Sequence, residues 1–329
     1  MKTLVIPSVR EHCLFDFLKS WHTCGDWDNI IVIEDNPERT FNINPGPAGN
    51  NCVRPWNLEH YSWKEIENRL GENSWIISRR DSAIRCFGFL MAYESGADYI
   101  FTLDDDCWPG EERFCEGHIK NLKNTPQWTE SIPETRTRGL PYQHTGNMKN
   151  VAASMGLWTG NPDFDAIQEF GQLPEVKIPN QNRIVPFGQY FPFCGMNFCI
   201  IKEMAVASYF PIMGQHSPYG RFDDIWFGII FKKVADHLGY SVSVGKPTIH
   251  HTKASNRYKN LIKEAPGISA NEYFWRIIDG IPLTGKNPKD CMLEIGTYLQ
   301  KDDVPYKDEF ENDYLNNLGK AIVIWVGLF

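Results

Sequence analysis

The chain has 329 residues and a mass of 37.9 kDa, enough for one large α/β domain or two modest ones. A formal net charge of −8, a pI near 5.6 and the lack of any Lys/Arg block exclude polyanion binding as a main activity, so nucleic acid is not an expected partner. Nine cysteines without a C-x-x-C pair read as reduced thiols rather than a disulfide framework or zinc site, and with no apolar signal stretch after Met1 they point to the cytoplasm.

In chain order, Leu4-Val5-Ile6 reads as a short strand, followed by an amphipathic segment around Phe15, Phe17, Leu18 and Trp21. Asn29 to Ile33 is a second buried strand ending in Glu34-Asp35-Asn36-Pro37. Residues 38–60, rich in Asn, Pro and Gly, read as a long loop, and Trp75-Ile76-Ile77 as a third short strand. A helix is predicted from Asp81 to Glu94 on the apolar spacing of Ala83, Phe87, Leu90 and Met91. Tyr99 to Leu103 is an apolar, β-branched and aromatic run of the kind buried in parallel sheets. Residues 121–150 are polar and proline-bearing, which suggests an inserted active-site loop. Phe191 to Lys202 reads as strand and turn, Asp224 to Leu238 as an amphipathic helix, and Ser241 to Val244 as a strand leading to His250-His251. Past residue 265 the pattern suggests a packed helical extension. The apolar tail from Ala321 to Phe329 is too short to span a bilayer; a docked strand, an oligomer contact and a membrane-surface anchor are its three readings. The expected architecture is an α/β domain over residues 1–264 with a mostly parallel central sheet flanked by helices, and an extension over 265–329 packed on it.

The run from Tyr99 ends abruptly in Asp104-Asp105-Asp106, then a turn at Cys107-Trp108-Pro109-Gly110. Ligands of open α/β sheets bind beyond the carboxyl ends of the strands. Side chains alternate along an extended chain, which puts Asp104 and Asp106 on one side and Asp105 on the other. Three adjacent carboxylates repel unless a cation sits among them. A hard divalent ion that also binds phosphate oxygens meets that need, so the triplet reads as a metal-diphosphate site; a solvated acidic turn is the alternative. No G-x-G-x-x-G follows the first strand and no G-x-x-x-x-G-K-[ST] occurs, which argues against NAD, flavin and P-loop chemistry.

Several motifs in order then become specific. They include Ile6-Pro7-Ser8-Val9-Arg10, Asp81-Ser82-Ala83-Ile84-Arg85-Cys86-Phe87-Gly88, the strand with its triplet, and Arg138-Gly139-Leu140-Pro141-Tyr142. Gly156-Leu157-Trp158, Asn161-Pro162-Asp163-Phe164-Asp165, Cys194-Gly195-Met196-Asn197, Gly220 to Trp226 and His251 to Asn256 continue the series. Together, over roughly residues 4–260, the chain resembles the reversibly glycosylated polypeptide family, whose plant members are UDP-arabinopyranose mutases. The resemblance implies a GT-A type glycosyltransferase fold, a UDP-sugar such as UDP-arabinose as substrate, Mn²⁺ or Mg²⁺ as cofactor, and interconversion of UDP-L-arabinopyranose with UDP-L-arabinofuranose. A transferase passing its sugar to a separate acceptor, and a non-catalytic UDP-sugar-binding partner within a homo- or hetero-oligomer, are the rival expectations.

Roles follow from chemistry and resemblance together. Asp106 and Asp104 are the expected metal ligands, Asp105 a ribose or sugar contact, and His251 resembles the histidine that completes the metal shell in many GT-A enzymes. Asp35 is assigned by resemblance to the uracil N–H or ribose, against a turn-stabilising role. Arg10 offers a guanidinium fork to the nucleotide, against a surface salt bridge. Asp81 suits a helix N-cap with Arg85 one turn on, so Arg85 would face the diphosphate while Asp81 fixes its fork. Of Asp223 and Asp224, one would cap the following helix and the other serve the sugar. Gly195 and Asn197 are expected to line the sugar pocket, and Trp158 to act as an apolar sugar platform or as core. Arg138 matches the arginine associated with reversible glycosylation in the plant proteins. Downstream of it the chain departs from its relatives, reading Gln143-His144-Thr145-Gly146-Asn147 where they carry Ser-Leu-Arg-Glu-Gly.

Overall fold

A computed structural model describes residues 1–22, 24–43, 56–110, 113–124, 150–171, 177–215, 217–252 and 256–329. The first half alternates strand and helix: β1 (Lys2–Ser8), α1 (Glu11–Trp21), β2 (Asn29–Glu34), β3 (Asn57–Tyr61), α2 (Trp63–Leu70), α3 (Arg85–Glu94) and β4 (Tyr99–Leu103). Then come β5 (Cys107–Pro109), α4 (Phe114–Leu122), β6 (Val151–Gly160), α5 (Ala166–Phe170), β7 (Arg183–Ile184) and β8 (Asn197–Ile201). The chain closes with α6 (Asp223–His237), β9 (Ser241–His251), α7 (Arg257–Gly280), α8 (Pro288–Leu299) and α9 (Tyr314–Val326).

One sheet carries the described strands in the order β3-β2-β1-β4-β8-β6-β9-β5, with β7 beside β9. From β3 to β4 the pairing is parallel, so β1, β2 and β4 all deliver their carboxyl ends to one edge. β8 is antiparallel to both β4 and β6, and β5 and β7 are antiparallel to β9. The sheet is therefore mixed, not mostly parallel as expected. A strand buried on both faces reads as a continuous apolar run whichever way it points, so composition could not reveal the reversal at β8. The register has a direct consequence: Leu103 pairs with Asn197 and Cys107 with His251, which brings Gly195-Met196, His251 and the aspartate triplet to one place.

Other local expectations are corrected. The loop read over 38–60 contains β3, whose Asn57-Leu58-Glu59-His60-Tyr61 has too little apolar periodicity to announce itself. Trp75-Ile76 lies in a 3-10 turn, Gly71–Ile76, not a strand; Ile76 and Ile77 are buried there and the Ile76 carbonyl accepts the Tyr209 hydroxyl at 2.6 Å. A short apolar run cannot by itself distinguish turn from strand. Phe15 is 60% exposed; the inner face of α1 is Leu14, Phe17 and Trp21. The predicted helix from Asp81 begins as a 3-10 turn, Ser82–Ile84, capped by Asp81 through the Ala83 N–H at 3.1 Å. The boundary placed at 264/265 falls inside α7, which runs unbroken through it.

The apolar tail supplies the last turns of α9, residues 321–326, and packs inward with the helix. Leu315, Leu318, Ala321, Ile322 and Trp325 are fully buried, and the Trp325 indole N–H donates to the Val206 carbonyl at 2.8 Å. No helix among the described residues is long and apolar enough to cross a membrane. Trp325→Ala would remove the largest side chain of this contact and leave the Val206 carbonyl unpaired. It should destabilise the fold by about 3–5 kcal/mol, read as a lowered denaturant midpoint at unchanged slope.

Candidate functional site

A cleft of about 750 Å³ opens at the carboxyl ends of β1, β2 and β4, the position that open α/β sheets give to ligands. Its walls include Ser8 and Arg10 after β1, Asp35 after β2, Asp104, Asp105 and Asp106 after β4, Arg80 and Asp81 before α3, and His251 at the end of β9. Asp163, Tyr219, Arg221 and, from α7, Lys263 complete the rim.

Carboxylate repulsion at the end of β4 is relieved by side chains from different elements. Asp105 is buried; it accepts the Ser8 hydroxyl at 2.5 Å and pairs with the Arg10 guanidinium. Burial pushes its carboxyl above the usual range, against the pull of Arg10 and Ser8. Arg10 also lies 3.5 Å from Asp106. Asp104 points the other way, 35% exposed, and accepts from Arg85 at 2.7 Å. Asp105 and Asp106 thus share Arg10 while Asp104 stands apart on Arg85, rather than Asp104 and Asp106 sharing one side, because residues 105 and 106 lie in a turn and not in extended chain.

Asp106 faces His251, with Oδ1 3.7 Å from Nε2. His251 Nδ1 lies 2.9 Å from the Asn161 carbonyl, and because a carbonyl can only accept, that nitrogen carries the proton. Burial pulls the imidazole down, but Asp106 and the Asn161 carbonyl outweigh it and raise its pKa. A neutral His251 would turn the Nε2 lone pair toward Asp106. An imidazole oriented by a carbonyl and the half-buried carboxylates of Asp104 and Asp106 are donor types that a divalent cation such as Mn²⁺ or Mg²⁺ takes, although among the described residues these three do not bring their donor atoms within 4.8 Å of one another.

Arg85 does not face the cleft. It is 1% exposed, and its guanidinium donates to the Ser82 carbonyl at 3.0 Å, the Thr102 hydroxyl at 2.9 Å, the Gly195 carbonyl and Asp104. Nor does Asp81 hold its fork: that carboxylate accepts the N–H groups of Ala83 and Arg221. Arg85 is instead a strut joining α3, β4 and the 195 turn. Asp35 meets the Trp63 indole N–H at 2.7 Å and the Asp81 N–H at 3.1 Å, so it braces the loop while lining the cleft.

Neither Asp223 nor Asp224 is the side-chain cap of α6, since Phe222 is the N-cap residue. Asp223 is buried and accepts the Ser82 hydroxyl at 2.6 Å, while Asp224 accepts the Gly195 N–H at 2.7 Å. Burial raises both carboxyls, and their mutual repulsion raises Asp224 further. A Cβ at Gly195 would lie 3.3 Å from Asp224 and 3.4 Å from Arg85, so this glycine lets the two converge. Asn197 is fully buried, bonded to His118 and to the carbonyls of Leu157 and Pro247, which removes it from the sugar pocket. Trp158 packs against the core on β6 and is absent from the described cleft wall. Arg138, and most of the 121–150 loop, lie outside the described residues.

Three cleft residues had not been singled out: Arg80, Asp163 and Arg221. Arg80 and Arg221 both adopt left-handed backbone (φ 60° and 66°), a conformation non-glycine residues hold only where their surroundings enforce it. The Arg80 guanidinium lies over the Trp63 ring at 4.8 Å. Arg221 is aimed by the buried Glu264 of α7, which accepts its Nε at 2.7 Å. Asp163 accepts the Cys194 thiol at 2.7 Å, and Asp163, Cys194 and Asp224 bring ligand-type atoms within 4.8 Å of one another. Asp163 and Arg221 sit inside motifs already noted; what was missing was that the long loops fold them inward.

A mixed-sheet α/β protein with an acid-lined cleft at its strand ends, charge-balanced by buried arginines, is the class that fold and site define. The family model described as "Reversibly glycosylated polypeptide" matches residues 2–329, and the chain belongs to that family. It is 33% identical to a probable UDP-arabinopyranose mutase 2 of Solanum tuberosum, over 98% of this chain and 88% of the relative. It is 32% identical to UDP-arabinopyranose mutase 1 of Arabidopsis thaliana, over 98% and 90%. A solved mycobacterial protein superposes with a TM-score of 0.49 at 13% identity, covering 87% of this chain and 76% of the other.

The raised carboxyl of Asp223 gives a pH signature. The folded chain holds that proton more tightly than the unfolded chain, so the stabilisation is complete below the ordinary carboxylate range and is lost as pH rises through the folded value. Asp223→Asn keeps an acceptor for Ser82 without the buried charge. It should unfold at higher denaturant than the parent at about pH 8, and the difference should shrink toward about pH 4.

Proposed function

We propose that the chain binds a UDP-sugar in this cleft, in the manner of GT-A enzymes, and interconverts UDP-L-arabinopyranose with UDP-L-arabinofuranose. The observation that carries the reading is the triplet-centred cleft in a chain one-third identical, across nearly its whole length, to proteins named UDP-arabinopyranose mutases. Asp106, His251 and Asp104 would hold Mn²⁺ or Mg²⁺, which when bound neutralises diphosphate charge and so favours departure of UDP. Arg10 keeps Asp105 and Asp106 from repelling each other, and Arg85 holds Asp104 in place. Arg80, Arg221 and Lys263 bring positive charge to the diphosphate side of an otherwise acidic cleft. Asp35, on the cleft wall after β2, would stand beside the nucleoside. The protein holds the sugar while UDP departs, the ring recloses through a different hydroxyl, and UDP re-adds; self-glycosylation on Arg138 belongs to the same proposal. None of the eight described cysteines is in a disulfide, which suits a cytoplasmic enzyme.

Residues 143–147, where the plant proteins' further arginine is replaced, favour a second reading, a UDP-sugar-binding partner of a catalytic homologue. Chromatography of nucleotide sugars after incubation with UDP-arabinopyranose and Mn²⁺ separates the two. Furanose product supports the mutase, whereas tight UDP binding without turnover rejects it. Asp106→Asn should weaken Mn²⁺-dependent UDP-sugar binding by about 10-fold or more in calorimetry, with little change in metal-free UDP binding. An equal loss in both would remove the metal from Asp106.

A further inference from the structure

Of the carboxylates on the cleft wall, Asp35, Asp81 and Asp105 each have both oxygens occupied by protein donors. Asp104 and Asp106 form the cation corner. Asp163 differs from all of these. Its Oδ2 accepts the Cys194 thiol at 2.7 Å, and among the described residues nothing donates to its Oδ1. Burial holds the Cys194 thiol well above its ordinary pKa, so the sulfur stays protonated and remains a donor. The segment carrying Asp163 is anchored at both ends. Asn161 bonds the His251 carbonyl at 3.0 Å through its N–H and the Thr252 carbonyl at 3.1 Å through its side chain. Asp165 caps α5, and the Ala166 N–H donates at 2.6 Å to Glu264, the same carboxylate that aims Arg221. Asp163 thus lines the cleft within electrostatic reach of Asp104, His251 and Arg221, with no donor to its Oδ1 among the described residues.

Interconverting a pyranose and a furanose sets a definite requirement. The C4 hydroxyl becomes the ring oxygen, and the former ring oxygen on C5 becomes a hydroxyl. One proton leaves O4 and one arrives at O5, with no net gain or loss.

We propose that Asp163 is the catalytic residue that carries this proton, an assignment that rests on the mutase reading. As the O4 lone pair closes on C1, the O4–H proton passes to Asp163 Oδ1. As the C1–O5 bond breaks with its electron pair on O5, the same proton is delivered to O5 and the carboxylate is restored. UDP departs with the C1–O pair and returns it on re-addition, so no oxidant or reductant enters. Cys194 holds the second carboxylate oxygen, which fixes the rotamer of Asp163 and leaves Oδ1 for the sugar.

The test separates C1–O cleavage from ring exchange. UDP-arabinopyranose labelled with heavy oxygen in the bridge between C1 and the β-phosphorus reports cleavage by scrambling the label into non-bridging positions, whatever the ring does. Asp163→Asn should bind the nucleotide sugar and scramble the label nearly as the parent does, while furanose formation falls on the order of 100-fold or more. Asp163→Ala should show the same split and regain part of its ring exchange when formate is added, which a packing role would not permit. Furanose formation within about threefold of the parent in Asp163→Asn, equal losses of scrambling and ring exchange, or no formate rescue would each overturn the assignment to Asp163. Absence of furanose from the parent protein would instead reject the mutase reading, and the proposal with it.

Discussion

Crowded negative charge at the end of one buried strand is the constraint around which the cleft is organised. Asp104, Asp105 and Asp106 follow β4 with no spacer, and the turn at 105–106 sends Asp104 one way and the other two another. Each direction meets its own cation: Arg10 from the loop after β1, and Arg85 from the first turn of α3. Removing one member of such a buried pair leaves a charge without a partner, so these arginines tie the acidic edge to the stability of the sheet. The Arg85 fork reaches four acceptors on three segments, a task its planar geometry suits and a lysine ammonium would not perform.

From that edge outward the second half of the chain is placed by register. Because β8 runs antiparallel beside β4, the turn at Gly195-Met196 enters where the triplet ends; because β9 pairs with β5, His251 arrives opposite Cys107. The buried acids Asp223 and Asp224 then support the cleft from behind, through Ser82 and Gly195. The C-terminal helices belong to the same structure. Glu264 of α7 links Arg221 to the segment of Asp163, and α9 seals the 3-10 turn Lys202–Ala207 with Trp325. Cleft and extension are thus joined by specific polar contacts as well as by apolar packing.

A division of labour between exposed and buried groups follows. Asp104, Asp106 and His251 are the donors proposed for a cation, Arg80 and Arg221 offer positive charge in enforced left-handed backbone, and Asp163 keeps one oxygen to which nothing among the described residues donates. The residues behind them, Ser8, Ser82, Gly195, Asn161 and Glu264, each bond a charged side chain or a neighbouring segment of the cleft. Function-bearing groups are thus exposed only through one atom or one edge, which limits the rotamers they can take.

The strand before the triplet, the first two strands β1 and β2, the helices read from Asp81 and Asp224 and the acidic edge itself were legible in the sequence, because burial of a continuous apolar run and its abrupt polar end are local facts. Resemblance along ordered motifs likewise identified the family. The sequence alone could not state the direction of β8, the strand β6 built from Ala, Ser, Met and Gly, or the helical nature of the apolar tail, since those depend on which neighbour each segment pairs with. For the same reason it could not tell that Asn197 is buried at the start of β8, that Arg85 is a strut, or that Asp163 and Arg221 reach the cleft. Residue chemistry is written one position at a time, whereas exposure of a particular oxygen or guanidinium is decided by every other side chain competing for it. Only the folded chain resolves that competition.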